Sequence, residues 1–331
     1  MRWQRRHVLS TEDWSRDEIE LVLEQATAML EVLARPIRRT PALRGRTVVL
    51  FFAEASTRTR MSFELAAKSL SADTSIITAS GSSVEKGETL YDTVRTLQAL
   101  GAEIIVLRHS ASGAPYFVAE RVSASVINAG DGWHAHPTQG LLDALTLRGA
   151  LGDLHGKRVA IVGDILHSRV ARSDVHTLVP LGARVVLCGP PTLVPSAWRG
   201  GSVPDGVAYE PDVDRALADA DAVIALRLQR ERQEAGLLPS LREYRSTWGI
   251  TEERAARLRP GVPILHPGPM NEGVEIDASV AHGPRSLVER QVTNGVAVRM
   301  ALLYLLATAG AGTEQAGDAA ASPASPAEVP A

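Results

Sequence analysis

Short aliphatic runs alternate with stretches of helical character, twice over, and that alternation limits the folds open to this chain. The first series has strand-like runs at Val48 to Phe52, Thr74 to Ile77, Ile104 to Leu107 and Ser125 to Ile127. The second has Arg158 to Val162, Arg184 to Cys188, Ala222 to Leu226 and Val262 to Leu265. Runs this short and this rich in Val, Ile and Leu suit strands buried on both faces, and strands separated by helices pair in parallel. The expected class is α/β: two consecutive domains, each a parallel sheet flanked by helices, joined by interdomain helices. One such helix runs from about Thr138 to Ala150 and stops near Gly152; a final one carries Val288, Val292, Val296, Met300 and Leu303. An N-terminal amphipathic helix places Ile19, Leu23, Ala26, Leu30 and Leu33 on one face. At 331 residues both domains can bury a core. Beyond Leu306 large apolar groups nearly vanish, so residues 310–331 are expected to form a disordered tail.

A net charge of −3 gives no electrostatic reason to expect nucleic acid or an anionic membrane surface as partner. No apolar run reaches the length of a membrane span, and the arginine-rich start lacks the apolar core of a secretion signal; a cytoplasmic protein is expected. The lone Cys188 can form no internal disulfide, offers no metal cluster and reads as packing. Of the 35 basic residues only Lys68, Lys86 and Lys157 are lysine, which gives weight to Lys86 in the small polar loop Ser80 to Thr89, just before a helix from Leu90 to Leu100.

Chemistry enters at Phe51-Phe52-Ala53-Glu54-Ala55-Ser56-Thr57-Arg58-Thr59-Arg60, where hydroxyls and guanidiniums follow a strand at the start of a helix whose apolar spacing is Met61, Leu65, Ala66 and Leu70. Ser56 and Thr57 are cap candidates. The first turn of a helix has unpaired N–H groups and a partial positive charge, so a phosphate can sit there, held also by hydroxyl donors and a forked guanidinium. A second candidate is Val159-Ala160-Ile161-Val162-Gly163-Asp164, which has the form of a first dinucleotide-binding strand and turn. Its fingerprint then fails, because Ile165 and Ser168 stand where the second and third glycines belong.

Further pieces follow in order: Arg108 after a strand, and His136-Pro137-Thr138-Gln139 after the turn at Gly130 to Gly132. Then come His167-Ser168-Arg169-Val170-Ala171-Arg172-Ser173, Arg227-Leu228-Gln229-Arg230-Glu231-Arg232 and His266-Pro267-Gly268-Pro269. With the Ser56 to Arg60 run, the series covers residues from about 46 to 306 and resembles the aspartate and ornithine transcarbamylase family. Its last three pieces resemble the aspartate branch.

The resemblance implies transfer of a carbamoyl group from carbamoyl phosphate to L-aspartate, the committed step of pyrimidine biosynthesis, with no metal or organic cofactor. It implies a carbamoyl-phosphate-binding domain of residues 1–137 plus 286–309, on which the final helix packs, and an aspartate-binding domain of 138–285. Ser56, Thr57, Arg58 and Thr59 suit the phosphate, with Ser82 and Lys86 inserted from a neighbouring subunit of a homotrimer. Arg108, His136 and the Thr59 hydroxyl suit the carbonyl oxygen; Gln139 and the backbone carbonyls of Pro267, Gly268 and Pro269 suit the amide. Arg169 and Arg227 can each clamp a carboxylate of aspartate, with Gln229 and Lys86 beside them. Arg58, Thr59, Lys86, Arg108 and His136 are the expected catalytic group. Gly268 departs from the family, where leucine is frequent between the two prolines. The charged segment Arg230 to Trp248, without clear period, is expected to close as a lid. Two alternatives stay open: another acceptor such as ornithine, or a non-catalytic homologue that binds phosphorylated ligands. The resemblance leaves open whether the trimer stands alone, joins regulatory chains or assembles with a dihydroorotase-type enzyme.

Overall fold

The computed structural model describes residues 2–78, 88–229 and 240–318, with side chains to 309. Its first half runs α1 (Arg16–Leu33), β1 (Thr47–Phe52), α2 (Thr57–Ser69), β2 (Asp73–Thr78), α3 (Leu90–Ala99), β3 (Ile104–His109), α4 (Ala114–Ala119), β4 (Ser125–Asp131) and α5 (Pro137–Leu151). The second half runs β5 (Arg158–Val162), α6 (Arg169–Leu178), β6 (Arg184–Cys188), α7 (Ser196–Arg199), β7 (Val207–Tyr209), α8 (Val213–Ala218), β8 (Ala222–Ala225), α9 (Leu241–Trp248), α10 (Glu252–Arg257), β9 (Ile264–Leu265), α11 (Ala278–Ala281) and α12 (Val288–Asp318).

Two all-parallel sheets result, of order β2-β1-β3-β4 and β7-β6-β5-β8-β9. Each has one switch point, β1/β3 in the first and β5/β8 in the second, where the chain turns outward in opposite directions and leaves a crevice at the carboxyl ends of the strands. Register sets what meets there. Phe52 pairs with Arg108 across β1 and β3, so the start of α2 and the end of β3 share one crevice. In the second sheet Val162 pairs with Ala225, which brings the turn before α6 beside the segment that leaves β8.

Helix α12 returns from the second half to pack on α1, α2 and α5. Its segment Val288–Ala309 is long and apolar enough to cross a membrane, with a mean hydropathy of 1.4, contrary to the reading that no run reaches that length. The apolar face is used for packing: Ala297, Val298, Met300, Ala301, Leu302 and Leu303 are all buried against the helices of the first half.

Four local expectations are corrected. In α2 the buried stripe is Phe63, Ala66, Ala67 and Leu70, whereas Met61 and Leu65 are half exposed, because Phe63, two positions from each and so on the opposite side of the helix, takes the inward face. In α12 Val292 is 45% exposed, and the inward positions at that level are the polar Gln291 and Asn294, which bond Asp143 and Thr146 on α5. Helical backbone continues to Asp318 where composition suggested disorder from residue 310; residues 319–331 lie outside the described residues. The second half of the expected lid, Leu241–Trp248, is an amphipathic helix fixed by the buried Tyr244; residues 230–239 lie outside the described residues. The edge strand β7 has only three residues, too few for a readable period.

Candidate active site

At the end of β1 the backbone of Ser56 is extended and forms the N-cap of α2, yet its side chain makes no capping bond. An ordinary N-cap would spend the hydroxyl on its own helix. Here the hydroxyl and the first-turn N–H groups face a cavity of about 490 Å³ between the two sheets. Ser56, Thr57, Arg58, Thr59, Arg108, His136, Gln139, Arg169, Arg227, Gln229, Pro267, Gly268 and Pro269 all line it. Thus every site residue expected from sequence among the described residues reaches one space; Ser82 and Lys86 lie outside those residues.

The same cavity holds groups that were not expected, foremost Glu54. Its Oε1 accepts from Arg108 Nη2 at 2.6 Å and from Arg169 Nη2 at 2.7 Å, and its Oε2 accepts from Arg169 Nη1 at 3.1 Å. Arg108 is the penultimate residue of β3 in the first half and Arg169 begins α6 in the second, so one carboxylate ties the two halves at the site. Gly130 permits the approach: with φ +116, it has no Cβ, which would lie 3.0 Å from Arg169 Cζ and 3.3 Å from Arg108 Nη1. A lone carboxylate two residues before an anion-binding helix start reads as repulsive in sequence; only the fold reveals the guanidiniums it holds.

A second tie crosses the cavity. Arg58 Nη1 donates to the Pro267 carbonyl at 2.8 Å, so that oxygen, expected to serve the substrate amide, is occupied here. Gly268 makes room for it, since its φ is +63 and a Cβ would fall 1.8 Å from Arg58 Nη1. The departure from leucine therefore supplies space and a left-handed backbone, beyond the loss of a side chain. His266 fixes this turn. Its Nδ1 accepts from Gly268 N at 2.8 Å, which leaves the proton on Nε2 for Glu275 at 3.2 Å.

His136 precedes Pro137 at the head of α5, and its backbone N–H donates to Ser173 Oγ at 2.8 Å. Burial, helped by Arg169, Arg108 and Arg299, holds its pKa well below the ordinary value, so the imidazole is neutral. Arg299 from α12 is fully buried and unexpected from sequence. It donates to Ser62 Oγ at 2.8 Å and Thr138 Oγ1 at 3.3 Å and lies over the Phe63 ring at 5.0 Å; burial draws its pKa down to about 9. Because Thr138 Oγ1 accepts from Arg299, its own proton is available to His136 Nδ1, a long contact of 3.5 Å, which leaves Nε2 as the donor nitrogen. Gln139 Nε2 donates to both Asp143 oxygens at 3.1 Å, which fixes the amide orientation, because an ionised carboxylate only accepts.

Beyond β8 the chain is extended, and Arg227 and Gln229 line the cavity while Leu228 between them is buried with Leu193 and Tyr244. Among the described residues, five guanidiniums, from Arg58, Arg108, Arg169, Arg227 and Arg299, thus surround the space against one carboxylate, that of Glu54. Such a site suits a ligand or ligand pair carrying several negative charges.

Comparison with known proteins agrees with this geometry. Residues 6–149 match the family described as aspartate/ornithine carbamoyltransferase, carbamoyl-P binding domain, and residues 155–306 match its Asp/Orn binding domain. The chain is 60% identical over 306 residues to the aspartate carbamoyltransferase catalytic subunit of Chloroflexus aggregans, covering 92% of this chain and 99% of the relative. It resembles the crystal structure of aspartate transcarbamoylase from Trypanosoma cruzi in complex with N-(phosphonacetyl)-L-aspartic acid at TM-score 0.81 and 29% identity, covering 90% of this chain and 95% of that one. The ornithine carbamoyltransferase of Pyrococcus furiosus is equally similar in fold, with TM-score 0.81 but 26% identity, covering 92% and 98%. The fold is therefore common to both acceptor types.

Proposed function

Since the chain belongs to the aspartate/ornithine carbamoyltransferase family and transfers the carbamoyl group of carbamoyl phosphate to L-aspartate, we propose how its residues divide that reaction. The observation that supports the division is that the anion-binding helix start, after β1 of the first sheet, and Arg169 and Arg227, after β5 and β8 of the second, line one cavity. Residues 1–137 with 286–309 serve carbamoyl phosphate, and 138–285 serve aspartate. Ser56, Thr57, Arg58 and Thr59 take the phosphate with the first-turn N–H groups of α2. Arg108, the Thr59 hydroxyl and the neutral His136 donate to the carbamoyl oxygen as it becomes negative, where one well-placed donor contributes about 3 kcal/mol. Gln139, with its Nε2 held by Asp143, offers Oε1 to the carbamoyl amide. Arg169 and Arg227 take the two carboxylates of aspartate, and Gln229 adds neutral hydrogen bonds. Phosphate binding at Arg58 competes with its bond to the Pro267 carbonyl and so frees that oxygen for the amide.

The aspartate amine attacks the carbamoyl carbon directly, the C–O bond to phosphate breaks, and the departing phosphate accepts the amine proton. Positioning in one cavity supplies several kcal/mol of the acceleration, on the order of what well-oriented intramolecular reactions gain. Ser82 and Lys86 complete the site from a neighbouring copy in a homotrimer, Lys86 touching both phosphate and aspartate. The setting is the cytoplasm, and the product enters pyrimidine synthesis.

Among the described lining residues the single carboxylate, Glu54, is already bonded to two arginines, so the ammonium of ornithine would find no free counter-charge among them. Phosphate release should therefore be rapid with carbamoyl phosphate and L-aspartate, and at least a hundredfold slower with L-ornithine at equal concentration. Comparable rates would overturn the acceptor assignment, and no release with either would favour a non-catalytic ligand-binding role.

A further inference from the structure

Behind the substrate amide lies a pair of carboxyl groups that the division above does not use. Asp143 on α5 and Asp174 on α6 are both wholly buried. Neither Asp174 oxygen meets a hydrogen-bond donor among the described residues, while the Asp143 carboxyl is within hydrogen-bonding reach. Asp143 in turn accepts from two amides. Gln139 Nε2 approaches both of its oxygens at 3.1 Å, and Gln291 Nε2 approaches Oδ1 at 2.6 Å. Gln291 then uses its own Oε1 to accept from His266 N at 3.0 Å, at the base of the turn that holds Pro267 and Gly268.

Two carboxylates in contact in a dry interior cannot both ionise, and a carboxylate without donors is costly to bury. Were both protonated, the Asp143 oxygens would lose strength as acceptors for two amides that have only donors to offer them. We propose that Asp143 and Asp174 share one proton, with Asp174 donating to Asp143, and that this pair positions both walls of the amide subsite: Gln139 directly, and the His266–Pro269 turn through Gln291. The inference rests on the carbamoyl-transfer assignment and names positioning residues, since neither carboxyl touches substrate.

The surrounding charges fit a single negative charge on the pair. Arg299 from α12 is the cation that acts on Asp143, and Asp174 is held protonated by burial and then by Asp143 itself. At the head of α5, His136 is neutral; behind Gln291, His266 has its proton turned to Glu275. From α1, also packed on α5, Glu20 is engaged by Arg148 at 2.7 Å, at the far end of α5. Carboxyls held protonated in the native state contribute stability that is complete below the unfolded carboxyl pKa of about 4 and is lost as pH rises until the shared proton leaves.

Three variants of the full chain test the pair: Asp174→Asn, Asp174→Leu and Asp143→Asn. Asparagine at 174 keeps shape and a donor, so kcat should stay within twofold of wild type, and the Tm gain over wild type should widen as pH rises. Infrared difference spectra at neutral pH should show a protonated-carboxyl band in wild type that Asp174→Asn lacks. Leucine at 174 removes the donor, and asparagine at 143 replaces one of the two acceptor oxygens with an NH2 that faces other donors. Both should lower kcat/KM for carbamoyl phosphate at least tenfold while the aspartate KM stays within threefold. Absence of the infrared band, or a pH-independent Tm difference, would overturn the shared proton even if Asp143→Asn fails to fold. Equal damage to both substrates, or Asp174→Asn as impaired as Asp174→Leu, would overturn the positioning role. If wild type releases no phosphate, the carbamoyl-transfer assignment fails instead, while the infrared result still decides the shared proton.

Discussion

Arg108→Ala should lower kcat about a hundred- to thousandfold, the range found when a donor to a developing oxyanion is removed. Arg108 lies near the end of β3 in register with Phe52, has a side chain only 12% exposed, and is held by Glu54. Its aim is therefore set before substrate arrives. Removing it leaves Glu54 paired with Arg169, so no carboxylate is stranded and the fold should survive. Steady-state phosphate release measured beside a melting curve separates the two effects. Turnover within tenfold of wild type, at unchanged Tm, would remove Arg108 from the oxyanion role. Arg108→Lys should recover little, because a point charge cannot keep both the Glu54 bond and a forked approach to the oxygen.

Glu54→Ala should also be damaging, about tenfold less than Arg108→Ala, without removing any group that touches substrate. One carboxylate holds arginines from both halves of the molecule, in bonds of 2.6 Å, 2.7 Å and 3.1 Å. Charge-assisted bonds contribute about 1.5–3 kcal/mol each, and the loss would fall on the alignment of Arg108 with Arg169 rather than on either alone. A ten- to hundredfold fall in kcat, with a raised aspartate KM, is the expected outcome in initial-rate kinetics. A variant with wild-type kcat and KM would show that substrate alone aligns the two arginines.

Much of this site was legible in the sequence because of where parallel sheets place their ligands. The strands are buried on both faces, so they read as aliphatic runs, and the residues that follow them fall at the crevice. Ser56 to Thr59 were found in that way, Arg108, His136, Arg169, Arg227 and Pro267 through the family resemblance, and all line one cavity. What escaped were groups whose meaning depends on a distant partner. Glu54 makes sense only once β3 and α6 bring Arg108 and Arg169 to it. Arg299 lies 237 positions from Ser62, its hydrogen-bond partner, and Asp174 is significant only beside Asp143. The inward faces of α2 and α12 were misjudged for a related reason. Phe63 outcompetes Met61 and Leu65 for the core, and Gln291 and Asn294 are inward because α5 presents polar groups to them.

The central claim is that each wall of the cavity holds its own substrate, phosphate at the start of α2 and the carboxylates of aspartate at Arg169 and Arg227. Equilibrium titration of carbamoyl phosphate into wild type, Arg58→Ala and Arg227→Ala, without aspartate, tests it most directly. Arg58→Ala should raise Kd at least tenfold, about the 1.4 kcal/mol or more expected for one charge-assisted contact. Arg227→Ala should bind carbamoyl phosphate within twofold of wild type while failing to turn over aspartate at ordinary concentrations. Equal weakening by the two substitutions, or a larger effect from Arg227→Ala, would contradict the division of the site.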